Sequence, residues 1–151
     1  MAQFATNLLT KALYHPDVNS LSIRDRIDWA RRAEKSSFDH DTRIKNSEGA
    51  SFESATGHKV LANSLGFVGE YKRSYCSVSA VPIAQDAGGL MRRDYWYSVA
   101  RRVSSLDSPE EVGKIAAERA VRGLGSRSVN KSRVPHNYRS AGGCLNFGRR
   151  I

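Results

Sequence analysis

The chain has 151 residues, of which 40% are hydrophobic, and carries a formal net charge of +9. This length allows one compact domain whose core does not need disulfides or metals for stability. No apolar run reaches the ~18 residues that a membrane-spanning helix requires, and residues 1–13 are too weakly hydrophobic for a secretion signal. Cys76 and Cys144 lie far apart without CxxC spacing, so we expect free thiols in a reducing compartment, the cytoplasm.

The positive charge is concentrated at one end of the sequence. Residues 126–151 contain six basic residues and no acidic residue, whereas residues 1–125 contain 18 basic and 15 acidic residues. The acid-free end contains Gly, Ser and Asn with little apolar periodicity, which predicts a basic, flexible tail over residues 129–151. The nearly balanced body weakens the case for a folded nucleic-acid-binding face.

The first regular element predicted is an amphipathic helix. Residues 1–20 are interpreted as a loosely ordered lead-in, because Pro16 biases its predecessor away from helix. Ser22 then provides an N-cap, with Asp25 three positions later to complete a capping box. Apolar residues follow at steps of mostly three and four as far as Phe38, as expected of a helix with one buried face.

Residues 46–102 change from helical to alternating periodicity and contain several glycines, so they predict β-strands. We expect a short strand around residues 60–62, a tight reversal over 63–66 and a longer strand over 71–84. A helix over residues 95–106 is the alternative for the last segment, because apolar residues there also recur at helical spacing. In the strand interpretation, one face carries Met91, Arg93, Tyr95, Tyr97 and Val99.

A second helix is predicted after residue 107. Ser108 is its N-cap, Pro109 fits the first turn, and Glu111 completes an S-x-x-E box. Gly123 and Gly125 end the helix. The order helix, strands, helix predicts an α+β fold, in which an antiparallel sheet of about three to four strands is flanked by an N-terminal and a C-terminal helix.

Several blocks, collinear from about residue 13 to 135, resemble the central region of the PmbA/TldD family, whose members assemble as TldD/TldE metalloprotease complexes. Residues 40–51 are similar to the family's D-x-R-I-x-N-[ST]-E-G-[AG]-S motif, and residues 61–67 resemble its N-S-x-G turn. Residues 89–95 are similar to its G-x-M-x-R-D-Y block, and residues 106–124 to its capped helix. The likeness is greater to the PmbA branch, also called TldE. The motif residues, which we expect to be structural, are Arg43, Asn46, Glu48, Gly49, Asn63, Ser64, Gly66, Arg93, Asp94 and Tyr95.

The resemblance implies zinc in catalytic relatives, but the ligands are absent from this sequence. TldD-type members hold zinc with a His-Glu-x-x-x-His helix and a distant cysteine in a C-terminal domain, and the PmbA/TldE branch lacks these ligands. We expect no catalytic residue, no metal site and no bound cofactor here, and Cys76 suits a small core residue better than a nucleophile. The histidines, none of which is followed by glutamate or lies four residues from another, are His15, His40, His58 and His136.

Family members are about three times as long as this chain, and the likeness fades after residue 135. We therefore expect a PmbA/TldD-like central domain over residues 21–128, in a truncated, noncatalytic relative. By similarity it would serve proteolysis and peptide maturation, and related chains are also described as modulators of DNA gyrase. The expected partners are a TldD-type subunit or a second copy, with peptide bound only in a complete complex and no membrane association.

The alternative function is that of a small basic nucleic-acid-binding protein. The pairs Arg92-Arg93 and Arg101-Arg102 alternate with aromatic residues 95–97, which could supply a stacking and phosphate-binding surface. Ordinary sheet packing, with arginines along the rims, is the simpler interpretation, and we favour it. An exposed strand edge could also pair with an extended peptide.

Overall fold

The computed structural model describes residues 13–126, together with the backbone of residues 139–140 and 143–144. Its longer elements confirm the α+β prediction of a four-stranded antiparallel sheet with a helix before and after the strands. In chain order they are α1 (Ile23–His40), β1 (Ile44–Ala62), β2 (Val68–Gln85), β3 (Met91–Arg93), β4 (Trp96–Ala100) and α2 (Pro109–Arg122). Two 3₁₀ turns, Pro16–Asn19 and Val103–Ser105, precede α1 and α2, and β5 (Arg139–Ser140) pairs with β6 (Gly143–Cys144).

Strand β2 is the centre of the sheet. It pairs with β1 along one edge, from Ile44 opposite Ala84 to Ala62 opposite Val68. Along its other edge, β2 pairs with β3 and then with β4, so that both short strands lie beside the same long strand. The two short strands β3 and β4 therefore join the sheet through their pairing with β2.

The structure corrects two predictions about the strands. The strand expected around residues 60–62 is the end of the 19-residue β1, which begins at Ile44. The alternative helix over residues 95–106 is wrong, because residues 96–100 pair with β2 and only a 3₁₀ turn follows. Backbone pairing with β2 outweighs the helical spacing of the apolar side chains in that segment.

Local capping explains where both helices begin. At α1, the Ser22 Oγ accepts from the Asp25 N–H at 3.2 Å, while the Asp25 carboxylate accepts from the Ser22 N–H at 3.0 Å. At α2, the Ser108 Oγ accepts from the Glu111 N–H at 3.2 Å. Both predicted N-caps are confirmed, and α2 ends at Gly123 as expected.

Residues 13–20 are more closely packed than the predicted lead-in suggests. Val18 is fully buried, the Leu13 carbonyl accepts from the Ser74 N–H at 2.9 Å, and the Asp17 carboxylate accepts from the Val103 N–H at 3.0 Å. These contacts attach the segment to β2 and to the turn after β4. The rest of the lead-in, residues 1–12, lies outside the described residues, as does the predicted tail over residues 129–151 apart from the β5–β6 backbone.

Both helices pack against one face of the sheet. The core lies between the helices and the even-numbered residues of β2, and Trp29 of α1 meets Phe52 of β1 edge to face, with ring centroids 5.6 Å apart. The odd-numbered residues of β2 lie on the opposite face, which no helix covers within residues 13–126. The two core clusters contain Ala33, Val78, Ala80, Val112 and Ala116, and Ile44, Ala84, Ala117 and Ala120.

The two helices meet at Gly113. A Cβ atom at this position would lie 2.0 Å from the carbonyl oxygen of Ala33, a distance at which atoms cannot coexist. Beside this contact, the buried Ser37 hydroxyl donates to the Gly113 carbonyl at 3.0 Å. The absence of a side chain at residue 113 thus sets the distance between α1 and α2.

The turn from α1 into β1 is held by a carboxylate. The Asp41 side chain accepts from the Arg43 guanidinium at 2.7 and 3.0 Å and from the Arg43 N–H at 2.8 Å. These hydrogen bonds, chiefly the one from the guanidinium, lower the pKa of Asp41 from 3.8 to about 2. The Arg43 carbonyl accepts from the Gln85 N–H at 2.8 Å, so the turn is also attached to the end of β2.

We expect Gly113→Ala to destabilise the protein. In an exposed helix this change stabilises by up to about 1 kcal/mol, but here the new methyl group must push α1 away from α2, at a cost of roughly 1–3 kcal/mol. Urea unfolding followed by circular dichroism measures the difference. Lys114→Ala, at the exposed neighbouring position, is the control, and a G113A protein as stable as wild type would contradict the close contact.

We expect Asp41→Asn to change the acid side of the stability profile. Because the folded-state pKa of Asp41 lies below its ordinary value, the ionised group stabilises the fold above pH ~4, and that contribution is lost as the pH falls towards 2. The free-energy difference between wild type and D41N should therefore be constant above pH ~4 and shrink towards pH 2.

Urea unfolding at successive pH values from 5 to 2 tests this expectation. Asp107→Asn, which removes an exposed carboxylate elsewhere, is the matched control. A difference between wild type and D41N that is independent of pH across this window would contradict it.

Candidate functional site

One group of motif residues lies where β1 is irregular. The register of β1 against β2 shifts between Ser47 and Ala50, and Gly49 adopts a positive φ of 114°, which a residue with a side chain rarely adopts. The Gly49 N–H donates to the Ser47 Oγ at 2.8 Å, and the Asn46 side chain accepts from the Ser47 N–H at 2.8 Å. Asn46 and Gly49 therefore shape a bulge.

The bulge is linked to β3 by an ion pair. Both carboxylate oxygens of Glu48 accept from one guanidinium nitrogen of Arg93, at 2.6 and 2.7 Å. Both side chains are substantially exposed, so the pair contributes modestly to stability but fixes the position of β3 relative to the bulge.

Asp94 connects the sheet to α2 at the break between β3 and β4. Its carboxylate accepts from the Arg119 guanidinium at 3.2 Å, and that guanidinium lies 5.2 Å from the centre of the Trp96 ring. The neighbouring Tyr95 is 55% exposed and stacks beside Tyr97 with ring centroids 6.1 Å apart. The two last members of the R-D-Y block therefore face different surroundings.

The remaining motif residues form the hairpin turn between β1 and β2. The Asn63 side chain accepts from the N–H groups of Leu65 and Phe67 at 3.0 and 3.1 Å, and Gly66 adopts a φ of 83°. Ser64 is exposed in the same turn. The predicted tight reversal is confirmed, and it lies at the opposite end of the hairpin from Arg43 and the bulge.

The histidines within residues 13–126 do not fit a zinc site. His40 lies 3.7 Å from Glu118, His58 pairs with Glu70 at 3.0 Å across the hairpin, and the backbone of His15 is bonded to Ser74. Nowhere in that range do three His, Cys, Asp or Glu side chains come together as metal ligands. His136 lies outside the described residues.

Cys76 is a core residue. It is fully buried, and its thiol donates to the Ala100 carbonyl at 3.5 Å. Burial, with a smaller effect from Asp17, raises the pKa of the thiol, which favours the unreactive protonated form.

The aromatic segment is divided between the two faces of the sheet. Trp96 packs against the core beneath α2, whereas Tyr95 and Tyr97 lie on the uncovered face together with Val99 and Tyr75. The alternation in the sequence predicted two faces, and packing was favoured over a stacking and phosphate-binding surface for the whole segment. Alternation alone does not indicate which face the helices cover, so the exposed residues could not be told from the packed ones.

The chain is similar to known proteins over most of its length. Residues 16–124 match the sequence profile described as "PmbA/TldA metallopeptidase central domain". The chain is 40% identical over 123 residues to Metalloprotease PmbA homolog of Buchnera aphidicola subsp. Acyrthosiphon pisum. It is 38% identical over 123 residues to Metalloprotease PmbA of Escherichia coli O157:H7. Each match covers 82% of this chain and 27% of the relative, so the chain spans about a quarter of the length of these relatives.

Solved structures show the same arrangement. A crystal structure from Thermotoga maritima, described as a candidate modulator of a DNA gyrase, superposes with a TM-score of 0.70 at 30% identity, over 78% of this chain and 27% of that one. A similarly described protein from Bacteroides thetaiotaomicron gives a TM-score of 0.70 at 29% identity, over 78% of this chain and 26% of that one. In the described part of this chain, no helix is both long and apolar enough to cross a membrane. The chain therefore belongs to the PmbA/TldD family and contains that family's central domain.

Proposed function

We propose that this chain is a noncatalytic, PmbA/TldE-like component of a TldD/TldE-type metalloprotease assembly in the cytoplasm. Support comes from the match to the family's central domain and from relatives that are named metalloprotease PmbA. In this role the chain contributes to proteolysis and peptide maturation through its partners, and peptide binds only in the complete assembly.

One observation carries the noncatalytic part of this proposal. The charged motif residues pair between structural elements instead of converging on a reaction centre: Glu48 pairs with Arg93, and Asp94 pairs with Arg119. The first pair joins β1 to β3, and the second joins the sheet to α2. These charged motif residues thus connect the elements of the domain.

A partner has to supply the hydrolytic groups in this arrangement. The family resemblance implies that zinc and its ligands belong to a TldD-type subunit, and either such a subunit or a second copy of this chain is the expected companion.

We expect the purified chain neither to hydrolyse casein nor to bind stoichiometric zinc. The measurements are release of labelled casein peptides and metal analysis after dialysis, with a TldD-type subunit as the positive control. Hydrolysis that copurifies with the chain and is abolished by a chelator would refute the noncatalytic assignment.

Association is tested separately by co-expression. We expect the tagged chain to retain a TldD-type subunit in ~1 M salt, at which purely electrostatic contacts are screened. As a control for the basic tail, a variant with serine in place of the six basic residues beyond residue 126 should retain the subunit equally well. Loss of association at high salt in both proteins would contradict the proposed role.

A further inference from the structure

The face of the sheet opposite the helices carries a row of tyrosines. Tyr75 is 40% exposed, Tyr97 is 39% exposed and Tyr95 is 55% exposed. The Tyr75 hydroxyl donates to the Ser77 Oγ at 3.1 Å, which holds this ring along the strand. Exposed rings supported by a rigid strand provide flat surfaces on which planar ligands can stack.

Two adjoining depressions follow this row. The larger, of about 590 Å³, is lined by Ala55, Gly57, Arg73, Tyr75, Val99 and Arg101, among others. The second, of about 270 Å³, shares Tyr75 and Val99 with the first and continues to Tyr97 and Tyr95. Together they form a groove, hereafter the open-face groove, with arginines at one end and tyrosines at the other.

Both arginines are available to an external anion. A Cβ atom at Gly57 would lie 3.4 Å from the Arg73 Nε, so the Arg73 side chain lies across the space that this glycine leaves. Arg73 and Arg101 are exposed, and neither takes part in an ion pair among residues 13–126. By contrast, Arg93 and Arg119 are already paired with carboxylates.

We propose that the open-face groove binds single-stranded nucleic acid. Arg73 and Arg101 contact phosphate groups, and successive bases stack on Tyr75 and the Tyr97–Tyr95 pair. Guanidinium groups bind phosphate in a bidentate manner, and stacking on aromatic rings accepts any base, so the expected binding depends on salt and little on sequence. Glu53 lines the tyrosine end, where its carboxylate disfavours close approach of a phosphate.

The length of the groove and its rings favour a nucleic acid strand over other anions. A single nucleotide would fill one depression and leave the second unused. An acidic peptide could pair with the arginines, but its carboxylates would not use the three exposed rings. This inference is independent of the proposed role in a protease assembly, because it depends only on the surface of this chain.

The test is fluorescence anisotropy of the full chain with a labelled, mixed-sequence single strand of ~12 nucleotides, at several salt concentrations. Removing both arginines (R73A/R101A) should weaken binding and reduce the slope of log K against log salt by roughly 1.4, since each phosphate contact on a single strand contributes ~0.7. Arg31→Ala, an exposed arginine on α1, is the matched control and should bind as wild type does.

The stacking contribution is tested at Tyr97. Tyr97→Leu keeps an apolar side chain but removes the ring, and should weaken binding about fivefold or more. Tyr97→Phe keeps the ring and should bind like wild type. Thermal unfolding of each variant establishes that it is folded, and R73A/R101A provides an independent measurement if Y97L does not fold.

Four outcomes would overturn the proposal. The first is unchanged affinity and salt slope in R73A/R101A. The second is complete loss of binding when only the tail is neutralised. The third is equal competition by a glutamate-rich peptide, and the fourth is binding of free AMP as tight as that of the strand. The tail variant has serine at Arg127, Lys131, Arg133, Arg139, Arg149 and Arg150.

Discussion

The packing of α1 against α2 at Gly113 determines the arrangement of the rest of the domain. Because a side chain at residue 113 would collide with the Ala33 carbonyl, the helices lie side by side at a distance that only glycine permits. At this distance both helices cover the same face of a narrow sheet, and small residues such as Ala80 and Ala116 fill the space between the layers. Within residues 13–126, no helix covers the opposite face.

The side chains of strand β2 lie alternately on the two faces of the sheet. Its alternate side chains belong either to the core, as Val78 does, or to the uncovered face, as Tyr75 does. Its neighbours follow the same division, since β4 directs Trp96 inward and Tyr97 outward. The family motif lies mainly at the junctions of this framework, in the bulge, the hairpin turn and the contact with α2, where a change of residue would disturb the relation between elements.

Features determined by neighbouring residues could be predicted from the sequence, and features that depend on distant contacts could not. Ser22 and Ser108 identify the helix starts because a cap is completed within three residues. Residues 46–102 were predicted as strands, but the continuity of β1 from Ile44 to Ala62 was not, because its alternation is interrupted at the bulge, where Gly49 resembles an ordinary turn residue in sequence. The exposure of Tyr97 depends on which face the helices cover, and that depends on distant residues, such as Ala33, Val78 and Val112, that meet in one core cluster.

The two halves of the β1–β2 hairpin differ in burial. Near the core, Phe52 packs against buried neighbours, whereas Leu61 and Val68 near the turn are 61% and 72% exposed. The outer half can therefore open without disturbing the core. Sequence drift can accumulate in the outer half at little cost to the domain, provided that the residues closing the turn are kept.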